Sequence, residues 1–213
     1  QIVHQFDNTL ACAAIHKPPL KLGHYLRNWM RYSKMQGFDS EEVEYKTPWG
    51  VRKVVLNKKG LTDKGAKVIQ QMMDQGMIID FAHMSTRTME DVYKIVAAKK
   101  YPFYFSHGHF RDAMKGGLGR FEKSTSKEML LKMKELGGVF GIRTITFGTH
   151  QVDKSIQNNC DGSSLSVAHL LKWGNDLGIN MAFGSDFNGF IPQTRPRFSK
   201  MDKDYCAGQK VKG

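Results

Sequence analysis

From Gly60 onward, apolar residues alternate between helical spacing and short continuous runs. Val68, Ile69, Met72 and Met73 recur at helical intervals between Thr62, which can cap a helix, and Gly76, which can stop one. The run MIIDF then reads as a buried strand. After Ser85 and Thr86, the positions Met89, Val92, Ile95 and Val96 again have helical spacing, closing with Lys99 and Lys100 before Pro102. Strand FYFSH follows. Thr125-x-x-Glu128 forms a capping-box pattern ahead of Met129, Leu130, Met133 and Leu136, with Gly137-Gly138 as the stop and VFGIRTIT as the next strand. Ser163 and Ser164 precede Leu165, Val167, Leu170, Leu171 and Leu177, then Gly178 and the strand NMAFGSDF.

Four such helix and strand units in succession predict an α/β fold with a parallel sheet, because parallel strands need long crossover connections. An open doubly wound sheet and a barrel both satisfy the pattern. The barrel is favoured because no glycine-rich phosphate loop follows a strand and polar residues gather at strand C-termini. A (β/α)8 TIM-barrel-like fold needs about 250 residues. Counting an opening strand in QIVHQFDN, the chain covers roughly the second half of such a barrel. The whole chain, 1–213, is therefore expected to be one partial barrel, with an insertion between strands at 16–59 and a basic C-terminal extension at 191–213. The opening residues read as already inside a strand. The other barrel half is expected from upstream in the same protein or from another chain.

Composition supports a sizeable core, with 40% hydrophobic and 24% charged residues. No apolar run approaches the roughly 20 residues needed to span a bilayer as a helix. The formal charge of +12 raises the prior for polyanions, acidic partners or a membrane surface. That charge is scattered and the motifs of the common nucleic-acid modules are absent, so nucleic acid is not the expected partner. Cys12, Cys160 and Cys206 stand far apart, form no C-x-x-C pair and are odd in number. At least one is free or pairs outside the chain, and the redox compartment stays open.

The chemistry is expected at the strand ends, where His4, His83, His107 with His109, Arg143 with His150 further on, and Asp186 are found. Imidazoles at the ends of adjacent parallel strands can converge on one Zn²⁺ ion that keeps a position open for water. The bound water's pKa falls toward about 7, which supplies hydroxide at neutral pH. Asp186 could take a proton from that water and pass it to a leaving amine. His16, His24 and His169 are read as ordinary structural histidines, and Asp80 as a residue that could orient its own strand.

At these residues the sequence resembles the membrane dipeptidase family, peptidase family M19 of the metal-dependent amidohydrolase barrels. GLTDKGAKVIQQMMDQGMIIDFAHMS is similar to that family's G-L-T-x-x-G helix and D-x-S-H-x-S strand, FSHGHFRDA to its S-H-S strand end, and GSDFNG to its G-x-D-F-D-G. IVHQFDNTL resembles the strand carrying T-H-N-x-N. The resemblance implies a two-metal zinc site in which His83 and His107 hold the second zinc. It implies that His4 contacts the scissile carbonyl and that Asp186 shuttles the proton of the bridging water. It makes Arg120 the residue that binds the substrate carboxylate, with Arg111 competing for the role. A secreted or membrane-associated, dimeric protein is also implied.

Several departures accompany the resemblance. The family's H-x-D pair for the first metal occurs nowhere in these residues, and the glutamates of EEVEY fall in the wrong order to be its bridging ligand. Asn188 replaces the second aspartate of the last motif, and Ala82 stands where serine is usual. The leading expectation is a zinc-dependent hydrolase cleaving a dipeptide or small amide bond by a metal-bound hydroxide. The alternative is a non-catalytic barrel, a structural or binding subunit whose basic surface meets an acidic partner.

Overall fold

The computed structural model describes residues 40–48, 50–114, 122–145, 155, 160–187 and 193–195. The expected opening strand and the C-terminal extension lie outside them, apart from 193–195. The described part of the stretch 16–59 contains an antiparallel hairpin, β1 (Ser40–Thr47) and β2 (Gly50–Asn57). Gly50 closes its turn with φ +104, a backbone conformation that side chains disfavour. Val54 and Leu56 are buried, and β2 packs against the helix that follows His83.

Helix α1 (Asp63–Asp74) starts where Thr62 Oγ1 accepts a hydrogen bond from Gly65 N at 3.1 Å, and Gly76 at φ +74 turns the chain out of it. Its buried face is Gly65, Ile69 and Met73. Strand β3 (Ile79–Asp80), helix α2 (Thr86–Ala98), strand β4 (Phe103–Gly108), helix α3 (Lys127–Glu135), strand β5 (Val139–Ile142), helix α4 (Ser164–Asp176) and strand β6 (Asn180–Phe183) follow. Strands β3, β4, β5 and β6 form one parallel sheet in chain order. This is the α/β alternation read from the sequence. Strand β4 covers FYFSH and Gly108, whereas β3, β5 and β6 are shorter than their expected runs, because ladder hydrogen bonding ends where the chain turns off the sheet; VFGIRTIT is a strand only as far as Ile142.

One capping assignment changes. Ser126, not Thr125, caps α3, its side chain accepting from Met129 N at 3.3 Å. Thr125 is held elsewhere: its amide donates to His109 O and its carbonyl accepts from Arg111 N, both at 2.9 Å. That bridge beside Phe110 delays the helix by a residue.

The core between sheet and helices is aromatic. Phe81 stacks on Phe103 with ring centroids 3.9 Å apart, and Phe105, Phe140, Phe110 and Trp173 continue the chain of contacts. Each fully buried ring contributes about 1.5–3 kcal/mol of transfer free energy. Val92, Val96, Leu130, Met133 and Leu170 cover the rings from α2, α3 and α4. Gly141 on β5 and Gly184 beyond β6 both lie against the Ser106 carbonyl, where a Cβ at either position would collide. Their lack of side chains allows β4 to shift register between Phe105 and Gly108, just where it delivers His107. Cys160 is buried and disulfide-bonded.

Candidate active site

The C-terminal end of β3 is shaped by Asp80. Its Oδ1 accepts from Ala82 N at 2.9 Å and from Ser106 N at 3.0 Å, so one carboxylate oxygen turns its own chain and ties down the neighbouring strand. His83 follows at φ +68, a left-handed conformation that costs a non-glycine residue about 1–2 kcal/mol. The turn aims its ring across to β4. His83 Nε2 and His107 Nε2 lie 2.7 Å apart, and Ser106 Oγ lies 2.9 Å from His107 Nδ1.

Two ring nitrogens at that separation share one proton, so one imidazole donates while the other accepts. The same two lone-pair positions suit a metal. Ligand nitrogens about 2.0–2.1 Å from a tetrahedral zinc are separated by roughly 3.3 Å, so a small rotation of either ring would admit the ion. The pair fits as half of a ligand set. Among the described residues, no group of three or more His, Cys, Asp or Glu could hold a metal ion.

Asp186, at φ +52 beyond β6, completes the described cluster. Its Oδ1 is 3.9 Å from His107 Nε2, and its Oδ2 pairs with the Arg143 guanidinium at the end of β5. Arg143 is buried; burial lowers its pKa, and Asp186 opposes that shift. Arginine stays charged in such a setting, so the pair is an ion pair. Lys123, in the loop between β4 and α3, is brought down to about 8, chiefly by burial and then by Arg143, against the pull of Asp186. His109 is buried, and neither ring nitrogen has a hydrogen-bond partner among the described residues. Burial first, then Arg143, Lys123 and His107, hold its pKa well below the usual 6.5, so it is neutral at pH 7.

The structure thus brings together three of the expected site residues, His83, His107 and Asp186. His4, Arg120, His150 and Asn188 lie outside the described residues. Arg111 is used elsewhere: it is buried, donates from NH2 to Glu122 O at 3.1 Å and sits 4.5 Å over the Tyr45 ring. Arg143 is expected at its strand end, but nothing in the sequence joins it to Asp186; Lys123 escapes sequence reasoning, since it looks like one more solvated charge. The serine before His107 in FSHGH is a visible signal for its orienting contact.

The parallel α/β sheet thus gathers a histidine pair and an acid at its strand ends. The chain belongs to the membrane dipeptidase family (peptidase family M19), whose model matches residues 38–196. It is 29% identical over 143 residues to an uncharacterized dipeptidase of Schizosaccharomyces pombe, covering 65% of this chain and 30% of that protein. A dipeptidase of Clonostachys rogersoniana is 27% identical over 133 residues, with 62% and 30% covered. The chain therefore spans less than a third of the length of these relatives. Among solved structures, the probable dipeptidase PvdM from Pseudomonas aeruginosa matches with a TM-score of 0.50 at 16% identity, covering 64% of this chain and 46% of that one. That likeness concerns the fold.

Proposed function

We propose that this chain is the C-terminal-side portion of a zinc-dependent hydrolase that cleaves a dipeptide or a similarly small amide bond. The observation that carries the reading is the convergence of His83 and His107 from adjacent strands, Nε2 to Nε2 at 2.7 Å. A (β/α)8 barrel is the scaffold we infer. β6 has only β5 as a strand neighbour among the described residues, and Phe183 on that edge strand is 73% exposed, which supports further strands closing the sheet.

In this reading His83 and His107 would hold one zinc, and the remaining ligands would come from beyond the described residues. Zinc bound there would activate a water and polarise the scissile carbonyl. Ser106 orients the His107 ring through Nδ1. Asp186 Oδ1 takes the proton of the attacking water and returns it to the leaving amine nitrogen. Arg143 holds the other carboxylate oxygen and so directs Oδ1 toward the histidines. His4 contacts the carbonyl under attack. Arg120 binds the substrate carboxylate, and Lys123, on which the charges of Arg143 and Asp186 act, shares that anion.

The test uses the protein with its upstream sequence. Zinc content and dipeptide hydrolysis are measured before and after His83→Ala and His107→Ala; loss of metal and rate is expected. Retention of both would overturn the proposal.

A further inference from the structure

Glu122 is fully buried, yet its carboxylate collects amides from two separate elements. Asn57 N, at the end of β2, lies 3.3 Å from both carboxylate oxygens, and Thr86 N, at the start of α2, lies 2.8 Å from Oε1. A buried carboxylate is tolerated where donors replace its water, and the Thr86 amide belongs to a helix N-terminus, which favours negative charge. The Glu122 carbonyl takes a further bond from Arg111, whose guanidinium covers the Tyr45 ring on β1. Both strands of the hairpin are therefore joined to the loop between β4 and α3 through Glu122 and Arg111.

The next residue along that loop is Lys123, half-buried and near enough to Arg143 and Asp186 for their charges to act on it. Consecutive Cα atoms are held about 3.8 Å apart, so the anchoring of Glu122 limits where Lys123 can lie. We propose that Glu122 is a positioning residue through which the β1–β2 hairpin sets the place of Lys123, and with it the grip on the substrate's carboxylate end. The second half of this statement rests on the dipeptidase reading; the placement of Lys123 does not.

Glu122→Gln keeps the shape of the side chain but removes its charge and puts an NH2 group, donor against donor, where Oε2 accepts from the Asn57 amide. Two readouts are taken on the protein with its upstream sequence: the rate at which an amine-acylating reagent labels Lys123 at pH 8, and KM and kcat for a dipeptide. Labelling of Lys123 is expected to rise severalfold, with KM up about tenfold and kcat changed less than about twofold. Tyr45→Ala should shift both readouts in the same direction, whereas Tyr45→Phe, which keeps the ring beneath Arg111, should match the unsubstituted protein. Should Glu122→Gln fail to fold, the two Tyr45 variants decide the matter. Unchanged Lys123 labelling overturns the proposal whatever happens to catalysis, and altered labelling with unchanged KM overturns its substrate half. Absence of dipeptide hydrolysis in the unsubstituted protein overturns the dipeptidase reading instead, and the labelling still judges Glu122.

Discussion

His83 and His107, carried by successive strands, face each other across 2.7 Å with room for a single proton between their Nε2 atoms. Protonating both rings would set two cations in contact, and a metal ion would replace the hydrogen bond they share, the donor ring then carrying its proton on Nδ1. Zinc uptake is accordingly expected to weaken as pH falls, because a protonated ring cannot bind the ion, and titration calorimetry at a series of pH values would measure this.

The backbone at His83 separates its fold role from its ligand role. Asn tolerates the left-handed conformation found there, so His83→Asn is expected to alter stability by no more than about 1 kcal/mol. Zinc retention should fall by at least about tenfold, since Asn supplies no imidazole. Thermal unfolding and metal analysis read the two effects separately.

Arg143 and Asp186 form a largely buried ion pair, so removing one partner strands the other. Arg143→Leu is expected to cost about 3 kcal/mol in urea unfolding, and Arg143→Lys to recover only part of it, because an ammonium cannot reproduce the guanidinium geometry. Adding Asp186→Asn to Arg143→Leu should return some of the lost stability, a coupling that a double-mutant cycle measures.

Lys123 provides a pH signature. Its folded pKa of about 8 lies below its ordinary 10.5, so between those values the unfolded chain binds more protons and stability rises with pH. Below pH 8 the full cost of a charged, mostly buried ammonium is present; above 10.5 it is gone. Lys123→Met should therefore stabilise the protein at pH 7, and that advantage should shrink steadily as unfolding is measured from pH 8 to pH 10.5.

Asp80 uses one oxygen for two amides. Asp80→Ala is expected to cost about 2–3 kcal/mol, because the Ala82 and Ser106 amides lose a charged acceptor. Asp80→Asn, which keeps a carbonyl oxygen, should cost about 1 kcal/mol. Chemical denaturation of the three proteins compares them directly, and loosened delivery of His83 and His107 should accompany the larger loss.

Much of the fold is legible in the sequence because it is written locally. Thr62, Ser85 and Ser163 cap the helices that their positions predict, and Gly76, Gly137 and Gly178 leave them with positive φ. The α3 cap moves from Thr125 to Ser126 because Thr125 bonds to His109 O, a contact no local pattern encodes. The hairpin at Ser40–Thr47 and Gly50–Asn57 reads in the sequence only as an excursion, since EEVEY and GVRKVVLN carry weak apolar alternation on a partly exposed surface.

By itself, the sequence determined the succession of helices and strands, the parallel sheet that such crossovers require, and the histidines and aspartate at the strand ends. These follow from spacing, caps and apolar periodicity, all properties of neighbouring residues. Only the tertiary structure decided that Asp186 is held by Arg143, that Lys123 is half-buried where the charges of both act on it, and that Arg111 turns away to Tyr45 and Glu122. Those pairings join residues distant in the chain, and their energies depend on burial and on distances of a few ångströms, quantities that exist only once the chain has packed.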